Sequence, residues 1–154
     1  MQIEFLGNSE LLNLHKVAFF CSRTVSSRAI LRCYDWATQI DAKGKVVIGG
    51  FQSQIEKDVL HFLLKGRQAV ILVIARKMYK ELPEELTTLM NEGRLLIIST
   101  SPKSTRISKK TAYQRNLYIA QIADEVVFGY ISTESTLNDL HQMFCEKSQI
   151  LYTP

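Results

Sequence analysis

Residues 17–23 read Val17, Ala18, Phe19, Phe20, Cys21, Ser22, Arg23, an apolar run that stops abruptly at a hydroxyl and a cation. A run of that length without a polar interruption is apolar on both alternating faces, so as a strand it must be covered on both sides. This excludes a sheet with one wet face and makes the run the expected central strand of an open parallel sheet between helix layers. In such sheets ligands sit outside the carboxyl ends of the strands where the strand order reverses. A helix N-terminus at that place offers unpaired N–H groups to an anion. Ser22, Arg23 and the turn through Thr24 to Ser27 fall there.

The rest of the chain repeats the same unit. Ser26 or Ser27 caps a predicted helix whose apolar residues Ala29, Ile30, Cys33, Trp36, Ala37 and Ile40 recur at three- and four-residue steps, with Gly44 as its stop. Strand 45–48 closes on Gly49 and Gly50, where a missing Cβ lets the backbone turn tightly or approach a ligand. Ser53 and Glu56 have capping-box spacing and open a helix to about Lys65. Strand 69–75, a helix bracketed by Pro83 and Gly93, and strand 95–99 follow. After the polar loop 100–110 come a helix over 111–122, a strand over 124–129, a helix over 134–145 and a strand over 149–152. Residues 1–16, with Leu6, Leu11, Leu12 and Leu14 around Gly7, Asn8 and Ser9, read as a lead-in packed on the core with one short strand or helical turn.

Strands alternating with helices, each strand short and apolar, predict an α/β fold. The expected architecture is a Rossmann-like three-layer sandwich: a mainly parallel six-stranded sheet with helices on both faces, forming one domain over residues 1–154. With 46% hydrophobic side chains the chain holds enough apolar material for one such core. No apolar stretch approaches the ~20 residues that cross a bilayer, and the first residues lack a secretory leader's basic start, so a cytoplasmic protein with no membrane partner is expected. Three cysteines, Cys21, Cys33 and Cys145, are each set among apolar neighbours and are expected to be buried free thiols.

The net charge is only +4, but it is unevenly placed. Residues 93–123 carry six cations, Arg94, Lys103, Arg106, Lys109, Lys110 and Arg115, and no carboxylate, while the remaining chain carries 13 cations against 15 acids. Clustered cations of this kind neutralise phosphates and release their condensed counterions, so a polyanionic partner is expected.

Enzyme signatures are missing. There is no G-x-G-x-x-G after the first apolar run and no Walker sequence; His15, His61 and His141 have no metal-ligand spacing, and Ser22 has no visible base. Glu134 is expected in the first turn of a helix, favoured there by the dipole. What remains is a set of donors and cations at strand ends: Ser22 and Arg23; Gly50, Gln52 and Ser53; Arg76 and Lys77; residues 99–105; Ser132, Thr133 and Ser135. Arg115 and Asn116 join from the start of a crossover helix. Such an inventory suits holding a phosphate better than cleaving a bond, so neither a cofactor nor a metal is expected.

At these positions the sequence resembles the DNA-processing protein A (DprA/Smf) family. V-A-F-F-C-S-R over residues 17–23 is similar to that family's V-A-I-V-G-S-R, and residues 50–56 (G-F-Q-S-Q-I-E) fall where it has G-L-A-R-G-I-D. Gln114, Arg115 and Asn116 stand for R-R-N, residues 134–137 (E-S-T-L) for S-G-S-L, and residues 150–154 resemble the strand ending in V-P-G. Order and spacing hold from about Leu11 to Pro154. Cys21, Ser53, Gln54, Glu134 and Ser135 depart from the family's residues, and the lost glycines add Cβ atoms where a ligand is expected.

The resemblance implies a non-catalytic protein that binds single-stranded DNA or a nucleotide in a basic pocket. It also implies a recombinase as partner during DNA uptake, and self-association as a homodimer. Ser22, Arg23, Gly50, Arg115, Asn116, Ser132, Glu134 and Ser135 are the candidate ligand-binding residues, with Arg23 and Arg115 on phosphate and Ser22 and Asn116 donating hydrogen bonds or orienting the loops. The same superfamily holds lysine-decarboxylase-like phosphoribohydrolases, and a nucleotide hydrolase using Glu134 is the alternative. Their P-G-G-x-G-T-x-x-E survives here only in fragments over residues 129–134.

Overall fold

Seven strands form one sheet in the order β1-β5-β4-β3-β2-β6-β7 in the computed structural model, which describes residues 2–154. β2 (His15–Phe20), β3 (Lys45–Gly49), β4 (Ala69–Ile74), β5 (Leu95–Ser99), β6 (Glu125–Phe128) and β7 (Ser148–Ile150) are mutually parallel. β1 (Glu4–Gly7) adds an antiparallel edge beside β5. The sheet therefore has seven strands rather than the six expected. The lead-in supplies both this strand and a 3-10 turn, Ser9–Asn13; its first residue, Met1, lies outside the described residues.

Five helices cover both faces: α1 (Ser27–Gln39), α2 (Gln54–Lys65), α3 (Glu84–Asn91), α4 (Lys109–Ile122) and α5 (Leu137–Met143). The alternation within β2 sorts the layers. Val17, Phe19 and Cys21 join Cys33, Val59 and Leu89 in the core beneath α1, α2 and α3, while Ala18 and Phe20 join Ile119 and Leu140 in the core beneath α4 and α5. Phe19 stacks on Trp36 at 5.0 Å on one side and Phe20 on Phe128 at 5.5 Å on the other. Each such aromatic pair contributes about 1 kcal/mol beyond its buried area.

The run around Phe19 is interior but not central in the sheet: β3 holds the middle position, and β2 is the strand at which the order reverses. After β2 the chain builds outward through β3, β4 and β5, then returns to β2's other side with β6. The crevice that a parallel sheet opens at such a reversal lies above β2 and β6.

Local boundaries follow the caps. Ser26 accepts from Ala29 N–H and opens α1, which ends at Ile40, ahead of Gly44. Ser108 forms a capping box with Thr111, so α4 starts earlier than expected and the preceding loop is correspondingly shorter. α5 starts later: Ser135 Oγ accepts the N–H of Leu137, and Glu134 lies in the turn before the helix rather than in its first turn. A separate 3-10 turn, Cys145–Lys147, follows, and Cys145 is exposed there rather than buried.

Candidate functional site

A cleft of about 620 Å³ opens at the carboxyl ends of β2 and β6, where the strand order reverses. Seven of the eight expected residues line it: Ser22, Arg23, Arg115, Asn116, Ser132, Glu134 and Ser135. The eighth, Gly50, lies beside it in contact with Arg115.

Arg115 sits in the middle of α4 rather than at its start, and points across the sheet's end from the second helix layer to the first. It is 4% exposed. Its Nε donates to Asn116 Oδ1 at 2.9 Å and its Nη2 to Gln52 Oε1 at 2.7 Å. No carboxylate lies within ion-pair distance among the described residues. A guanidinium has five N–H donors, so donors remain unspent. Burial pushes its pKa below that of an ordinary guanidinium, countered by the negative charge of Glu56. A buried cation without a counterion costs several kcal/mol, on the order of what an anion arriving there recovers.

The guanidinium occupies the space that Gly50 leaves empty. A Cβ on Gly50 would stand 2.6 Å from Arg115 Cζ and 2.7 Å from Nε. The next residue, Phe51, has φ 48, the left-handed region that bulky side chains avoid. Such a residue costs about 1–3 kcal/mol and recurs where a chain must aim a functional group. Here the bend sends the Phe51 ring into the core, 4% exposed, and leaves the Gln52 side chain facing Arg115.

The loops around the cleft are tied by one carboxylate. Glu56, 8% exposed, accepts the N–H groups of Gln52 (2.9 Å) and Ser53 (3.0 Å) on Oε1 and of Cys21 (3.0 Å) on Oε2. Ser53 Oγ reaches back to Cys21 O at 3.3 Å. The capping box expected at residues 53–56 thus also braces the loop after β2 against the loop after β3. Cys21, where the family has a glycine, is among the residues that line the cleft. Its sulfur turns into the core beside Cys33, in space that Gly129 vacates; a Cβ there would collide with Cys33 Sγ and stand 3.2 Å from Cys21 Sγ. Its hydrogen bond with Cys33, and then burial, push the Cys21 thiol well above the ordinary range.

Ser22 is 4% exposed, with its N–H donated to Tyr130 O and its Oγ accepting Ser132 N–H at 2.9 Å. Its hydroxyl proton has no acceptor among the described residues and remains available to a ligand. Arg23 and Glu134 are exposed at the rim. Asn138, which the motifs did not mark, donates to the carbonyls of Ser132 (2.9 Å) and Ser135 (3.0 Å) and shapes the third loop. Its only signal was an amide in the first turn of a helix. Tyr113 and Lys109 complete the wall.

The cations of residues 93–123 do not form one patch. Lys109 and Arg115 face this cleft, and Lys103 and Lys110 line a neighbouring polar groove with Ser104 and Gln114. Arg94 is structural: it bonds Glu92 at 2.9 Å and the carbonyl of Gly66, at the amino end of β4.

A doubly covered, mainly parallel sheet with a crevice at its reversal point defines a Rossmann-like domain. The chain belongs to the DNA recombination-mediator protein A family, whose model matches residues 2–140. Its fold is similar to that of DNA processing protein A from Helicobacter pylori, solved for its single-stranded DNA binding mode, with TM-score 0.76 and 18% identity over 99% of this chain and 72% of that one. It is likewise similar to DNA processing protein A (DprA) from Streptococcus pneumoniae, with TM-score 0.75 and 20% identity over 96% of this chain and 53% of that one. No curated protein matches the chain in sequence.

Proposed function

We propose that this chain binds single-stranded DNA, or a nucleotide of it, in the cleft at β2 and β6 and does so without chemistry. One observation carries the reading: Arg115 is buried, has N–H groups to spare and has no carboxylate partner, an arrangement that a phosphate completes. The strand binding described for the Helicobacter pylori protein supports DNA as the source of that phosphate. Arg115 and Arg23 hold phosphate, Ser22 donates its free hydroxyl proton, and Asn116 fixes the guanidinium. Ser132 and Ser135 offer hydroxyls from the third loop.

Cleaving a nucleotide's glycosidic bond calls for a carboxylate at the reacting carbon. Glu56, the one buried carboxylate among the described residues, is committed to three backbone N–H groups, and Glu134 is exposed in its turn. Both favour binding alone. The family's description as a recombination mediator supports a recombinase that receives the strand, and with it a cytoplasmic place of work. No helix among the described residues is long and apolar enough to cross a membrane. Self-association as a homodimer, which the resemblance implies, is tested by sedimentation at tens of micromolar.

The reading is tested by titrating a labelled oligothymidylate and by incubating the protein with nucleoside monophosphates. Saturable strand binding with no released base is expected. Free base in the incubation, or no strand binding, overturns it.

A further inference from the structure

Both side chains that hold Arg115 are amides. Its Nη2 donates to Gln52 Oε1 and its Nε to Asn116 Oδ1. An amide oxygen spends one N–H of a guanidinium and leaves its charge whole, whereas a carboxylate in the same place would spend that N–H and cancel the charge. The contact also fixes which way the Gln52 amide faces. A guanidinium only donates, so the oxygen has to meet it and the nitrogen has to point elsewhere. Among the described residues nothing accepts from Gln52 Nε2, and the atom is not sealed away from solvent. Gln52 is half-buried and lines the cleft next to Arg115. It is pinned at both ends, since Glu56 accepts its backbone N–H at 2.9 Å and Arg115 holds its oxygen at 2.7 Å. A donor fixed in this way is ordered before any ligand arrives, and binding through it costs less side-chain entropy.

We infer that Gln52 is a ligand-binding residue of this site: its oxygen holds Arg115 without neutralising it, and its amide N–H groups donate to the phosphate that Arg115 takes. This rests on the proposed phosphate contact at Arg115 and adds to it a residue and a requirement. The requirement is that position 52 carry a neutral side chain with an acceptor and a donor. Gln52 falls where the pattern G-L-A-R-G-I-D has alanine, which supplies neither, so the amide is a feature of this chain. A carboxylate at 52 would keep the acceptor but form an internal ion pair with the guanidinium, and an arriving anion would then have to displace it.

The experiment measures oligothymidylate binding by fluorescence anisotropy over a series of salt concentrations for wild type, Gln52→Glu, Gln52→Met and Arg115→Ala, with urea denaturation of each. Gln52→Glu is expected to weaken binding about tenfold or more, the size of one lost charge-assisted hydrogen bond. It should also flatten the salt slope by nearly one contact, as Arg115→Ala does. Its urea midpoint stays at or above that of wild type, because the buried cation gains a counterion. Gln52→Met removes the acceptor and the donors but leaves the charge on Arg115, so binding weakens about fivefold while the salt slope stays near that of wild type. A residue that only held Arg115 in place would be replaced by glutamate without loss. Gln52→Glu binding the strand as wild type does therefore overturns the inference, and the phosphate at Arg115 stands if Arg115→Ala still weakens binding. If Gln52→Glu fails to fold, Gln52→Met decides, and wild-type affinity in it overturns the inference in the same way. No binding of oligothymidylate by wild type overturns the strand-binding reading, and the role of Gln52 falls with it.

Discussion

The guanidinium of Arg115 lies against the backbone of Gly50, 2.6 Å from where a Cβ on that glycine would have to stand. The two residues are far apart in sequence, one in α4 and the other in the loop after β3, so the pair locks these two elements together. It also explains why a glycine and an arginine occur together at this crevice: one makes room for the other. The space that Gly50 leaves is filled by the guanidinium of Arg115, the group that we propose meets the phosphate.

Gly50→Ala is therefore expected to displace the guanidinium and break its bond to Gln52. Overpacking of this kind costs about 1–3 kcal/mol. Urea denaturation measures the loss, and strand affinity falls in parallel. An alanine variant with wild-type stability and affinity contradicts the contact.

Arg115→Met is expected to do the opposite to stability and the same to function. Removing a buried, unpaired cation relieves its desolvation and keeps an apolar stem of similar length, so the urea midpoint rises by the equivalent of about 1 kcal/mol. Strand binding is lost. A destabilised methionine variant would mean that the bonds to Gln52 and Asn116 outweigh the uncompensated charge.

Glu56→Gln tests the brace between the first two loops. The amide retains one acceptor oxygen but turns a donor toward a backbone N–H, leaving at least one of the N–H groups of Cys21, Gln52 and Ser53 without a partner. A cost of about 2 kcal/mol is expected in denaturation. Amide exchange at Cys21 and Ser53 rises first, since those loops lose their common acceptor.

Gly129→Ala forces a Cβ onto Cys33 Sγ. The single substitution is expected to cost about 2 kcal/mol or more, and Cys33→Ala in the same chain to recover much of it because the colliding sulfur is gone. Additive costs in the double variant would place the strain elsewhere.

Asp124 adds a small stabilisation that acid removes. Its carboxylate accepts Lys16 N–H at 2.8 Å with Lys16 Nζ at 3.5 Å, and that backbone hydrogen bond, helped by the charges of Lys16 and His15, holds its pKa below the ordinary carboxylate value. A depressed folded pKa stabilises above the unfolded value and is lost as pH falls through the folded one. Asp124→Asn should therefore cost stability at pH 6, by less than about 1 kcal/mol because the group is exposed, and almost nothing near pH 2. An equal gap at both pH values counts against the assignment.

The parts of the fold visible in the sequence are those governed by local chemistry. Unbroken apolar runs such as Val70 to Ile74 can be covered only on both faces, and Ser26, Ser53 and Pro83 mark helix starts by the hydrogen bonds they make or omit. The lead-in's short strand could not be placed in the sheet, because Glu4, Phe5, Leu6 and Gly7 are all exposed at the edge and show no alternation. Seven cleft residues were found through motif resemblance at strand ends. The depth of Arg115, the brace at Glu56 and the role of Asn138 were not found, because each depends on partners brought together only by the crossovers. Cys145 misled because, of its apolar neighbours, only Phe144 packs against the core, while Met143 and Cys145 itself face out.

The central claim, that a strand's phosphate completes the buried Arg115, is tested most directly by the salt dependence of oligothymidylate binding. The logarithm of the affinity is expected to fall linearly with the logarithm of salt concentration, by about 0.7 per contacted phosphate. Arg115→Ala should weaken binding and flatten that slope by nearly one contact, with Lys109→Ala doing less. If Arg115→Ala binds the strand as wild type does at every salt concentration, the phosphate is not at Arg115 and the account of the cleft is wrong.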